Sequence, residues 1–325
     1  MLMRLDSSAL AGLGNTVARE LASAIESCTA ALRADDVAAV ARALRARGLV
    51  ESDCTTLIDQ VSRNPATANQ VVELRTSLGV DNNENALLER CLLLHAVSRY
   101  GVMMPRRSLS ESVLRCLTDE LRFLAAPSPS DSAQLLAPSH GFVSMAKIVT
   151  LRRFPAGQLH IERAAIPRSW LIRLGPRSFA RVLVFLARHG RARGPFFFHH
   201  VAWRRKNRLM LLENEQNRSY FRIAQLLELH PEVKGLIAES WLHSPDTYQV
   251  SPHLAWLNRP FQEFGGLVTV IGRASESSGV FSGSAARKRL YDEGRFRPTT
   301  AMAIWPRAAL LDWALRHPEF GDCTL

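Results

Sequence analysis

The chain has 325 residues, 47% of them hydrophobic and 22% charged. That is enough for two packed cores and too apolar for a disordered chain. The net charge is +11, no apolar run approaches the length of a membrane span, and the start MLMRLDSSALAGLG has no sustained apolar core of the secretory kind. The five cysteines (Cys28, Cys54, Cys91, Cys116, Cys323) form no CxxC or CxxH pair. They read as reduced, buried thiols of a cytoplasmic protein rather than a disulfide framework or a zinc site.

The charge divides the chain. Residues 1–135 hold 14 Lys+Arg against 16 Asp+Glu, a net −2, and residues 136–325 hold 27 against 14, a net +13. All six tryptophans and nine of the ten histidines fall in the second part. The expectation is a helical domain over 1–130 and an α/β domain over 136–325, joined near the Pro/Ser-rich stretch 125–134.

Apolar residues at 3.6-residue spacing predict helices over 15–33, 36–47, 52–61, 64–78 and 82–100, with Gly48, Gly79 and Gly101 as stops. Ser108 and Glu111 fit a capping box for a helix to about Leu124. Residues 142–151 fit either a strand or a short helix. Beyond them, 159–165 alternates as a strand, 168–174 and 176–189 read as helices, and 196–203 with 208–212 reads as a hairpin turning at Arg204–Asn207. A helix over 217–229, a strand over 236–241, a helix over 252–264 and a strand over 267–271 follow. The chain ends with a Gly/Ser loop to 283, a helix over 284–293, a strand over 300–305 and a helix over 308–316. Strands alternating with helices, plus one hairpin, predict a mixed sheet.

The stretch from Gly235 to Asn258 concentrates chemistry-bearing side chains. Glu239, His243, Asp246 and Tyr248 gather at the end of a buried strand, where sites form in α/β sheets. A carboxylate beside an imidazole suits general acid–base work, and Asp246 with Ser251 equally suits the fixing of a turn. Ser284 before a helix carrying Arg287 and Arg289, with Arg295 and Arg297 beyond, reads as an anion cradle or as a solvated basic face. His160 and Glu162 share a strand face at the spacing of two iron ligands. Residue patterns typical of zinc fingers or RNA-binding sheets are missing, which argues against a nucleic-acid partner.

Residues 196–271, in the order hairpin, helix, strand, helix, strand, resemble the core of GNAT-type N-acyltransferases. HLAWLNRPFQEFGGLVTVIG is similar to that family's last helix and following strand. The resemblance implies transfer of an acyl group from acyl-CoA to a small amine. It implies Glu239 or His243 as the base, Tyr248 as the acid toward the thiolate, and Asn217 and Arg218 at a helix start facing the coenzyme phosphates. The family's glycine-bearing coenzyme loop is expected after Leu212, where this chain reads Glu213-Asn-Glu-Gln-Asn-Arg-Ser219. The alternative is a non-enzymatic adaptor that grips an acidic protein partner through Arg287–Arg297.

Overall fold

The computed structural model describes residues 15–33, 35–46, 48–78, 82–106, 108–126, 140–189, 194–202, 212–275, 279–281 and 284–321. The chain forms two compact units, residues to 160 with 202–210, and residues 161–201 with 211–325. The stretch 127–139, which holds most of the expected linker, lies outside the described residues, as do the expected hairpin turn and its second strand at 203–211.

The first unit is helical. Its helices are α1 (Asn15–Ala31), α2 (Asp35–Ala46), α3 (Glu51–Arg63), α4 (Ala68–Leu78), α5 (Asn82–Tyr100), α6 (Glu111–Ala125) and α7 (His140–Val149). The ambiguous segment after 140 is therefore helical, and it packs on α3 and α5. Helix α5 is the hub: Leu88, Cys91, Leu92, Leu93, Leu94, Ala96 and Val97 are all buried, so it is apolar on nearly every side, as a helix surrounded by others must be. A buried charge on it, Arg90, donates from Nε to the Leu124 carbonyl at 3.0 Å and from Nη2 to that of Ala125 at 2.8 Å. These are carbonyls that the end of α6 leaves without an intrahelical partner, so a cation satisfies them and meets the negative end of the helix dipole. Helix α6 starts on Ser110, whose side chain makes no cap bond, so the capping box expected from Ser108 is not what opens it.

Among the described residues six strands build a mixed sheet in the order β1-β2-β3-β4-β6-β5: β1 (Arg153–Pro155), β2 (Leu159–Ala164), β3 (Phe196–Val201), β4 (Gly235–Ser240), β5 (Leu267–Arg273) and β6 (Thr299–Pro306). The second unit adds helices α8 (Arg168–Arg173), α9 (Pro176–Arg188), α10 (Glu213–Leu229), α11 (Pro245–Val250), α12 (Arg259–Glu263), α13 (Ala285–Asp292) and α14 (Arg307–Arg316). Strand β4 runs parallel to β3 and antiparallel to β6. A parallel pair needs a crossover, and α10 supplies it. Gly235 opens β4 at φ +146°, where a side chain would run into the Trp305 carbonyl. The backbone of β4 approaches β6 there as only glycine permits.

The side chains of the sheet sort by their period of two. On one face Phe196, Ile237, Leu267, Ile271, Met302 and Ile304 pack under Trp170 and Leu174 and under Val182 and Leu186 of α9. Opposite, Tyr220, Phe261, Trp305 and Trp313 meet edge-on or tilted at centroid distances of 5.0–6.2 Å, joining α10, α12 and α14 to β6.

Candidate active site

The segment after β4 is held by local hydrogen bonds. A single 3₁₀ turn, Trp241–His243, leads to α11. Ser244 caps that helix by accepting from the Asp246 amide at 3.3 Å, and Pro245 takes the first helical position, where its missing N–H costs nothing. Ser244 Oγ sits 2.5 Å from Thr299 Oγ1, and Thr299 donates to Asp246 Oδ2 at 2.6 Å. Asp246 thus accepts from β6 and fixes the turn. Thr247 Oγ1 donates to the Trp241 carbonyl and Tyr248 Oη to that of Leu242, each at 2.7 Å. The stretch expected as one helix over 252–264 is instead a 3₁₀ segment, Pro252–Asn258, followed by α12.

Glu239 and His243 do not meet. Glu239 belongs to the sheet face of Ile237, and its Oε1 lies 2.6 Å from Arg173 Nη2, with both side chains partly exposed. His243 is buried on the other side, edge-on to His199 and Phe261 at centroid distances of 5.7 and 5.4 Å. Its Nδ1 is 2.8 Å from Asn258 Oδ1. Burial pushes its pKa down to about 4, against the upward pull of Asn258. The Tyr248 hydroxyl is spent on a carbonyl, and burial raises its pKa.

The expected coenzyme pair sits deeper in its helix than its expected role needs. Helix α10 begins at Glu213, one turn earlier than expected, and Glu213 and Glu215 occupy its first turn. Asn217 and Arg218 follow in the second turn, and Arg218 pairs with Glu215 at 2.8 Å. The expected anion cradle divides in a similar way. Ser284 caps α13 by accepting from the Arg287 amide at 3.2 Å. Arg287 turns inward: Nε donates to the Val280 carbonyl at 2.7 Å, Nη1 to Ser251 Oγ at 3.2 Å, and the guanidinium lies 4.9 Å over the Trp241 ring. Arg289 points to solvent and reaches Glu293 at 3.7 Å.

The two expected iron ligands have separate neighbours. His160 Nε2 is 3.4 Å from Glu120, and Glu162 is 3.3 Å from His200 Nε2. Among the described residues no group of three His, Cys, Asp or Glu is arranged to hold a metal ion. No helix among them is long and apolar enough to cross a membrane.

No family model, curated protein or solved structure matches the chain. The chemistry on offer is therefore read from its own geometry. Two features stand out. Strands β3 and β4 pair only at Phe197–Leu236 and Phe198–Ile237, although each runs on for three more residues. Strand β4 stays paired with β6 through Ser240, so its edge toward β3 is the one without a ladder. Just past the last pair stands His199, buried, with neither ring nitrogen hydrogen-bonded, and beyond it on α10 Gln216 donates to Tyr220 Oη at 3.0 Å while its own carbonyl oxygen goes unmatched. Burial first, then the neighbouring His243 and His200, holds the His199 pKa well below the ordinary value, so its imidazole is neutral.

Sequence reasoning passed over Arg173, Asn258 and Thr299. Each acts on a partner distant along the chain, and neither spacing nor motif joins Arg173 to Glu239.

Proposed function

We propose that the second unit is an N-acyltransferase that moves an acyl group from an acyl-CoA thioester to a small amine. One observation carries the reading: the parallel ladder between β3 and β4 stops at Ile237, two residues before Glu239. Main-chain groups of Ala238–Ser240 on their β3 side then have the position needed to hold an extended thioester and polarise its carbonyl. The amine nitrogen attacks that carbonyl carbon, the C–S bond breaks, and the thiolate leaves with a proton from solvent. Glu239, partly exposed at the carboxyl end of β4, takes the amine proton. Arg173 keeps that carboxylate oriented.

His243 is the weaker base in this scheme, because it is buried and proton uptake there is costly. The adaptor reading loses support on α13: Arg287 is turned inward, Lys288 pairs with Asp292, and Arg289 and Arg295 share Glu293. Calorimetric titration of the full chain with acetyl-CoA tests the proposal. Saturable heat, competed by desulfo-CoA, is expected, and a flat titration contradicts it.

A further inference from the structure

Between Glu162 and Glu213 the sequence contains no acidic residue and twelve Lys or Arg, so this stretch accounts for all of the chain's net charge of +11. Helix α9 lies within it, and among the described residues it is covered on one side only. Val182 and Leu186 are buried against the sheet, with Phe185 packed at their edge. At 100° per residue the remaining surface falls into two bands. Phe179, Leu183, Ala180, Ala187 and Val184 form a continuous apolar strip, and Arg177, Arg181 and Arg188 form a ridge along its border. Phe179 is 37% exposed, Leu183 42% and Val184 50%, and Ile172 of the preceding helix is 82% exposed. All three ridge arginines are exposed, and none has an ion pair or side-chain hydrogen bond among the described residues.

A lone exposed leucine means little, but an apolar strip bordered by an unpaired cationic ridge is a surface with stated requirements. It asks its partner for an apolar stripe with carboxylates on one flank. A nucleic acid would use the arginines and leave the strip wet. An anionic lipid surface suits an apolar face with cations on both flanks, whereas here one flank of α9 is taken by the sheet. We propose that α9 docks an acidic amphipathic helix of another protein, with Phe179, Leu183 and Val184 as the apolar seam and Arg177, Arg181 and Arg188 as the charge selector. The pairing follows the logic of helix zippers, in which the seam gives affinity and the flanking charges choose the partner. The helix is about 20 Å long, which allows two turns of partner contacts at i, i+4 and i+7.

Fluorescence anisotropy with the full chain tests this, using labelled synthetic helices of about three heptads with a leucine seam. One peptide carries Glu on its flank and the other Lys. The Glu peptide is expected to bind, more weakly as salt rises, and to lose at least ~10-fold in affinity on Leu183→Glu or Arg181→Glu. Both positions are exposed, and an unchanged melting curve shows that each variant folds. The triple reversal Arg177→Glu, Arg181→Glu, Arg188→Glu is expected to prefer the Lys peptide. Failure of the Glu peptide to bind overturns the proposal, as does binding indifferent to these substitutions. It is also overturned if phosphatidylserine vesicles or poly(U) bind through these residues while the peptide does not.

Discussion

Asn258 grips His243 at both ends: its Nδ2 donates to the His243 carbonyl at 2.9 Å, and its Oδ1 lies 2.8 Å from the His243 ring Nδ1. A carbonyl only accepts, so the first contact fixes which way the amide points. Its oxygen then faces the ring, and Nδ1 must carry the proton. One buried amide thereby sets the tautomer of a buried histidine and ties the 3₁₀ turn after β4 to the end of the Pro252–Asn258 segment. Asn258→Leu leaves two buried polar groups without partners and is expected to cost about 2–5 kcal/mol of stability. Chemical denaturation of the single and double variants with His243→Leu checks it. The double variant should be less destabilised than the two singles summed, because the second change removes part of what the first left unsatisfied.

Acid should weaken the second unit through His243 and His199. Both are neutral when folded and regain an ordinary pKa near 6.5 on unfolding. Below that pH the unfolded chain binds protons that the folded chain refuses. The stabilising contribution is therefore full above about pH 6.5 and is lost as the pH falls toward 4, on the order of 3 kcal/mol for His243 alone. His199→Leu is expected to flatten the decline between pH 6.5 and 4, because it removes a group that takes up a proton in that range only on unfolding. Melting curves across that range check it, and an unchanged slope in the variant would show that His199 does not contribute.

Arg287 and Arg289 are two residues apart but should behave differently. Arg287→Ala removes hydrogen bonds to Val280 and Ser251 and a cation stacked on Trp241, at a cost of about 1–3 kcal/mol. Arg289→Ala removes an exposed contact with Glu293 and should cost under about 0.5 kcal/mol. Equal melting temperatures for the two variants would contradict the inward role of Arg287.

Much of the architecture was legible in the sequence because it is local. The stripe of Leu88, Cys91, Leu92 and Ala96 marks α5, and Ser284 marks the start of α13. Short elements were harder. Ser244-Pro245-Asp246 carries the N-cap and first-position proline of α11, yet the six-residue helix is too short for a period and reads as a turn. The site's pairings were not legible at all. His243 and Asn258 are 15 residues apart within one loop, Arg173 and Glu239 are 66 apart, and Asp246 takes its partner from β6. Strand composition reports burial and not neighbours, so a parallel β3–β4 pair that ends after two residues leaves no trace in hydropathy.

The most direct measurement of the acyl-transfer account is the release of free CoA thiol from acetyl-CoA over a panel of small amines, comparing the native chain with Glu239→Gln. The account predicts amine-dependent release that falls by about 10²–10⁴-fold in the variant. The melting temperature should barely move, because a partly exposed ion pair with Arg173 contributes at most about 1 kcal/mol. Release that is absent with every amine, or that survives Glu239→Gln undiminished, would contradict it.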